Sequence, residues 1–284
     1  MGRGHGAATT VAAFAALAAA CSLFTGLEGD YSTPPDAGVD APAISDASNA
    51  DTAPAEDAGA DAADANVDAG PTYSSVIMAD NPIAYYPLDD NGTTVVDVSG
   101  NARHGTLVGA YTLKAAALAD TSANAITFNG GHILLPNSVH APAPISVEMW
   151  VRAGSVAGTG YMFANGGFGF GWNASNANSI HVFGNTGAYD TPDRLEFSKP
   201  YYLCLTVDTS MNFDIHVGIN GVIAKWGSGN PGGGTIQYGN GTSHVGAGKT
   251  GSEPFSGTID EVAIYNVVLS TTQMSKHYGA GLAK

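Results

Sequence analysis

The sequence is poor in cysteine, in positive charge and in long apolar runs, and each shortage excludes something. Two cysteines in 284 residues allow one disulfide at most, so no disulfide framework holds the fold. Ten Lys and Arg stand against 25 Asp and Glu, and the bases from Arg103 onward are scattered without a basic run, which argues against a nucleic-acid partner. The longest uncharged apolar stretch, Ala7 to Ala20, rises only about 21 Å as a helix, short of the roughly 30 Å hydrocarbon core. The histidines form neither a His-x-x-x-His pair nor a Cys/His cluster, so zinc has no support.

What is present begins with the leader. Arg3 and the apolar run that follows read as an export signal, and Leu17-Ala18-Ala19-Ala20-Cys21 resembles a bacterial lipobox. That resemblance implies a signal peptide over residues 1–21, lipid attachment at Cys21, and contact with a membrane through the N-terminal anchor. The expected location is the bacterial cell envelope, as an outer-membrane lipoprotein or a secreted protein, with Ser22 favouring the outer membrane. The competing reading is an ordinary signal peptide cut after an Ala-x-Ala site. With Cys21 acylated, Cys204 has no partner and reads as a small buried hydrophobe in the strand Tyr201–Val207.

Residues 22–72 contain eleven acids and no Lys or Arg. Repeated Asp-Ala and Asp-Ala-Gly, with several prolines, give too little apolar surface to offset chain entropy, so this stretch is expected to be a disordered Asp/Ala-rich linker. Without it, residues 73–284 hold fourteen acids against nine bases, an ordinary balance for a folded domain.

That domain reads as all-β. Ile145 to Arg152 alternates with period two, placing Ile145, Val147, Met149 and Val151 on one face. Asn212 to Ile219 does the same, and Asn220-Gly221 then predicts a type I′ hairpin into Val222–Trp226. Many short strands with frequent turn residues predict two packed antiparallel sheets. Only the ends look helical: a short turn over Ser74 to Asp80, and a C-terminal helix with capping-box spacing at Ser270–Gln273 and Gly279 placed to stop it.

Three segments, opening YSSVIMADNPIAYYPLDD at Tyr73, ITFNGGHILLP at Ile126 and FSGTIDEVAIYNVVLS at Phe255, together resemble the LamG-like, concanavalin A-like lectin/glucanase domain. The resemblance implies a jelly-roll β-sandwich with its first and last strands side by side. It implies a non-catalytic module that recognises carbohydrate or a surface protein, with calcium in some members.

In Gly257–Tyr265, alternation puts Asp260 on the face of Val262 and Ile264, and Glu261 on that of Ile259 and Tyr265. A carboxylate in such a strand needs hydrogen-bond donors or a cation. If the paired termini bring the Asp97–Asn101 turn close, Asp97, Asn101 and Asp260 form an oxygen-ligated calcium site. The alternative is a turn built by Asp97 and Asn101, with Asp260 satisfied by backbone. For ligand contact the candidates are Phe170 and Trp172, in the ring-glycine run Phe168-Gly169-Phe170-Gly171-Trp172, with Tyr189 and Trp226; core packing competes for all of them. The Glu-x-Asp-x-x-Glu strand of jelly-roll glucanases is absent, and so is a Gly-x-Ser-x-Gly elbow. The Gly-x-Gly-x-x-Gly spacings at Gly227 and Gly246 open no helix and read as turns. The expectation is a binding module and not an enzyme; the alternatives are a divergent glycoside hydrolase or polysaccharide lyase, and a purely structural surface protein.

Overall fold

The computed structural model describes residues 71–120, 122–139, 142–154, 159–176, 178–184, 187–230 and 242–282. Cys21 and the expected linker up to residue 70 lie outside these. Helix α1 (Tyr73–Ala79) opens the domain, capped by Thr72, whose side chain accepts from the Ser75 amide. Sixteen strands follow among the described residues: β1 (Ala84–Tyr86), β2 (Thr94–Val95), β3 (Gly105–Val108), β4 (Tyr111–Ala115), β5 (Ala125–Asn129), β6 (His132–Leu135), β7 (Ile145–Ala153) and β8 (Thr159–Asn165). The second half adds β9 (Phe168–Asn173), β10 (Ser179–Phe183), β11 (Ala188–Asp190), β12 (Tyr201–Val207), β13 (Phe213–Ile219), β14 (Val222–Gly229), β15 (Ser243–Val245) and β16 (Ser256–Tyr265), before helix α2 (Thr271–Gly281).

The first sheet runs β14-β13-β12-β7-β16-β5-β4 with β1 also on β16, and the second runs β11-β10-β9-β8-β15-β6-β3-β2. Pairing between these strands is antiparallel throughout. The first strand lies on the last, Ala84 opposite Ile264, as expected of the jelly roll. Asn220 and Gly221 both take positive φ, 51° and 81°, the geometry a type I′ turn demands.

The core fills the space between the sheets. Ile145, Val147, Met149 and Val151 of β7 meet Phe168, Phe170 and Trp172 of β9 in one buried cluster, each such side chain contributing about 1.5–3 kcal/mol by leaving water. Strands β7 and β12 are buried on their other face too, because α1 and α2 lie across it. There Trp150, Tyr202, Cys204 and Tyr265 pack with Tyr73, Ile77, Met274 and Tyr278, and burial pushes the Cys204 thiol well up.

Two local expectations fail for tertiary reasons. Gly279 does not stop α2. The helix keeps its capping box at Ser270 and Gln273 but runs to Gly281, with Leu282 as C-cap. Gly281 is where glycine is required, because a Cβ there would sit 2.4 Å from Trp150 Cζ2. The alternation through Asp260 and Glu261 also breaks. Glu261 has φ 53°, the register slips between Asp260 and Ala263, and this bulge keeps Ile259, Val262 and Ile264 in the inner core while Ala263 and Tyr265 face the helices. An extra residue in a strand shifts every later side chain to the other face. The bulge falls where the edge of β16 passes from β5, paired at Ser256–Ile259, to β1, paired at Val262–Ile264.

Beneath the helices lies a buried polar layer. Glu148 Oε1 accepts from the Tyr265 hydroxyl at 2.6 Å, while Oε2 accepts from the Tyr202 hydroxyl and faces His277 Nδ1 at 2.9 Å. The other His277 nitrogen faces Asp80 Oδ2 at 2.8 Å. With a carboxyl group facing each ring nitrogen, the protonated imidazole can donate from both. Burial would lower its pKa, but the bonds and charges of Glu148 and Asp80 prevail and raise it. This ion triad fastens α2 to β7 and to the end of α1.

Candidate functional site

Among the described residues, neither α1 nor α2 covers the outer face of the second sheet. Its character follows from β9, whose rings turn inward and whose glycines turn outward. Across the strands, one outward row runs Tyr161, Gly171, His181, Asp190 and the next Ala164, Gly169, Phe183, Ala188. The bare glycines let rings from neighbouring strands lie down over the sheet: a Cβ at Gly169 would come within 2.6 Å of Phe183 Cε1. Tyr161 meets Phe183 edge-on at 4.6 Å and lies 6.2 Å from His181.

A loop carrying the 3₁₀ turn Lys249–Gly251 crosses the same face. Gly248 admits it against Tyr161, since a Cβ there would approach Tyr161 Cδ2 to 2.8 Å. Between this loop, the β8–β9 turn and the end of β10 is a pocket of about 250 Å³, lined by Tyr161, Phe183, Gly184, Lys249, Ser252 and Glu253 among others.

On the far side of Tyr161 is a polar cluster. Asp190 Oδ1 accepts from Asn173 Nδ2 at 2.9 Å and Ser179 Oγ at 3.0 Å, and faces His181 Nδ1 at 3.1 Å. Burial would raise the Asp190 pKa, but hydrogen bonds from Asn173, Asn176, His181 and Ser179 outweigh it and hold the carboxyl below its ordinary value. Further along, His132 and His244 stack edge-on at 4.9 Å. Burial lowers the pKa of both, and with the charge of His132 added it takes His244 to about 4, so both rings are neutral near pH 7. The arrangement thus offers apolar rings, amide and hydroxyl groups and a fixed carboxylate side by side on a half-buried surface.

Residues 127–275 match the family profile described as the concanavalin A-like lectin/glucanases superfamily. The chain belongs to that superfamily. Among solved structures it is similar to domain 4 of AbnA, a GH43 extracellular arabinanase from Geobacillus stearothermophilus in complex with arabinotriose, at 22% identity and TM-score 0.54, covering 70% of this chain and 98% of that domain. It is also similar to a mutant of Trypanosoma rangeli sialidase displaying trans-sialidase activity, at 16% identity and TM-score 0.50, covering 72% of this chain and 34% of the other. The chain therefore spans about a third of that sialidase's length. No curated protein sequence matches it.

The superfamily fold places the expected site residues elsewhere than on this face. Phe170 and Trp172 are fully buried between the sheets, a correction to their expected ligand contact: a sandwich strand turns its bulk inward and its bare side out. Tyr189 and Trp226 also pack on the core, Tyr189 lying 5.4 Å from Phe213 and Trp226 6.4 Å from Tyr201. They seal the edge where β11 and β14 approach.

Asp97, Asn101 and Asp260 are not assembled as one set. The Asp97 carboxylate accepts from the amides of Tyr85, Ser99 and Arg103, each at 2.9 Å. Burial alone would raise its pKa, but those bonds and the Ser99 hydroxyl lower it. Asn101 Nδ2 donates to the Ile83 carbonyl at 3.2 Å and Ser99 Oγ at 3.1 Å, and His104 Nδ1 accepts from the Asp97 amide. Asp260 holds a different loop, accepting from Leu118 N at 2.8 Å, Ala119 N at 3.4 Å and Ser122 Oγ at 3.1 Å. Backbone amides and serine hydroxyls are thus the partners of both carboxylates. Among the described residues, no three His, Cys, Asp or Glu side chains group as a metal set.

The residues that do come together, Tyr161, His181, Phe183 and Asp190, were not singled out by sequence. The signal that pointed to them was the pair of glycines in β9, which marks the outward face and hence the register neighbours that cover it.

Proposed function

We propose that this domain is a non-catalytic glycan-binding module whose ligand lies on the outer face of the second sheet. The observation that carries the reading is the Tyr161–Phe183 ring pair, half-exposed over a glycine floor, with the Asp190 cluster on one side and the pocket on the other. Sugars offer a flat C–H face to such rings and hydroxyls to such amides and carboxylates. Domain 4 of the Geobacillus arabinanase, solved with arabinotriose, has a similar fold over nearly all its length, which supports a sugar ligand.

Binding without chemistry is supported by where the titrating carboxyls sit. A glycosidase needs a general acid of raised pKa at its open cleft. Burial raises Asp260 to about 7, and burial with the Asp260 charge raises Glu261 to about 8, yet both are closed off on the other sheet, and Asp90, also raised by burial, lies between β1 and β2 outside the ring face. Asp190, on the open face, is shifted the opposite way. Display from a bacterial envelope rests on the lipobox-like run ending at Cys21 and on the acidic segment that follows it.

The test is depletion onto a panel of insoluble polysaccharides with assay of reducing sugar. The expected result is retention on at least one glycan without sugar release, weakened about tenfold, or 1.4 kcal/mol, in Tyr161→Ala and in Phe183→Ala, with melting temperatures little changed. No retention on any glycan would overturn the binding reading. Sugar release would replace it with an enzyme.

A further inference from the structure

The charges around this face narrow its ligand. Resting on the glycan reading above, we infer that the face takes an uncharged glycan and rejects acidic ones. Asp190 stays a carboxylate because Asn173, Ser179 and His181 converge on its Oδ1. Glu253, exposed on the pocket wall, adds a second negative charge, against the single exposed ammonium of Lys249.

Among the described residues, Lys249 is the one Lys or Arg in the outward rows and the pocket lining of this face. Burial lowers the pKa values of His132 and His244, and His181 Nδ1 faces Asp190 Oδ1 at 3.1 Å. Recognition of a sugar carboxylate or sulfate relies on a guanidinium fork or clustered ammonium groups. Of the described arginines, two are engaged away from this face, and the exposed Arg194 beyond β11 is held through Nη1. Arg194 Nη1 donates to the carbonyls of Thr191 and Asp193, Arg103 Nη1 to that of Ile83, and Arg152 Nη2 to Thr258 Oγ1 on the first sheet. A uronic acid laid on the rings would meet Asp190 with no counter-charge, whereas a neutral sugar can donate its hydroxyls to that carboxylate.

Titration calorimetry of the full chain with arabinotriose, xylotriose, mannotriose and trigalacturonate at two salt concentrations tests this. At least one neutral trisaccharide should bind about tenfold or more tightly than trigalacturonate, a difference of 1.4 kcal/mol. Residual trigalacturonate binding should strengthen with salt as repulsion is screened, and Asp190→Asn should narrow the gap. Trigalacturonate binding as tight as the neutral sugars, weakening with salt and lost in Tyr161→Ala, overturns the charge inference and leaves the glycan reading standing. Binding of trigalacturonate alone, unaffected by Tyr161→Ala, overturns the inference and moves the site off this face. No trisaccharide bound at all overturns the glycan reading itself.

Discussion

The two outer faces of the sandwich use the same residue types to opposite ends. On the first sheet, tyrosines, a histidine and carboxylates are sealed beneath α1 and α2, where the His277 and Glu148 side chains are 0% exposed. On the second sheet, His181 and Asp190 form a similar pair but remain 15% and 28% exposed, covered by neither α1 nor α2. The first arrangement converts polar groups into fasteners, because each must be matched at the moment of folding. The second leaves groups half-satisfied toward solvent, where a ligand can complete them. Cover, and not composition, separates scaffold from site.

Removing one member of the covered network should have the largest effect. Glu148→Gln keeps the shape but leaves the buried imidazolium with Asp80 alone and mismatches two tyrosine hydroxyls. We expect a loss of about 3–5 kcal/mol in denaturant unfolding. The double variant with His277→Gln should recover part of that loss, since no charge is then stranded. A cost below about 1 kcal/mol for Glu148→Gln would show that the layer is not a fastener and erase the contrast between the faces.

Next comes pH, which above neutrality acts through the carboxyls of the covered face. Asp260 and Glu261 have folded pKa values raised by burial to about 7 and about 8, above those of the unfolded chain. The fold therefore binds more protons than the unfolded chain between about pH 4 and those values. Their stabilisation is complete below the unfolded pKa and is lost as pH rises through 7 and 8. His277, also raised, works in the same direction. Asp97, Asp190 and Asp208 are lowered and lose their contribution at acid pH as they protonate. His132, His216 and His244, lowered by burial, likewise cost stability only as pH falls below the unfolded histidine value of about 6.5. We expect the melting temperature to fall by about 5 °C between pH 7 and pH 9, above the range in which the histidines titrate. A flat or rising profile over that range would mean these carboxyls are ionised in the fold.

How much of this was legible beforehand follows the distance between partners. The β7 alternation, the Asn220-Gly221 hairpin and the Ser270 capping box are set by residues within a few positions of each other, and local chemistry decides them. Asp260 was seen to need donors, but its donor at Leu118 is 142 positions away, and no local rule names it. Glu148 and His277 are 129 positions apart and raised no expectation at all. The open face shows the same limit in another form. The ring-glycine alternation of β9 was visible, but which side turns outward depends on sheet pairing, and the residues that surround its glycines come from β8, β10 and β11. The bulge at Glu261 was invisible because only the handover from β5 to β1 along β16 explains it.

The smallest effect is also the sharpest test that the faces are independent. Gly279 lies inside α2 with nothing within 4 Å of where a Cβ would be, whereas at Gly281 that atom would collide with Trp150. Alanine costs a helix less than glycine does, so Gly279→Ala should stabilise the domain by about 0.5–1 kcal/mol, while Gly281→Ala should destabilise it. Neither position touches the second sheet, so calorimetric affinity for a bound glycan should match the unsubstituted protein within about twofold in Gly279→Ala. An affinity change beyond that, at unchanged fold, would mean that packing under α2 reaches through the core to Tyr161 and Phe183, and that the covered face regulates the open one.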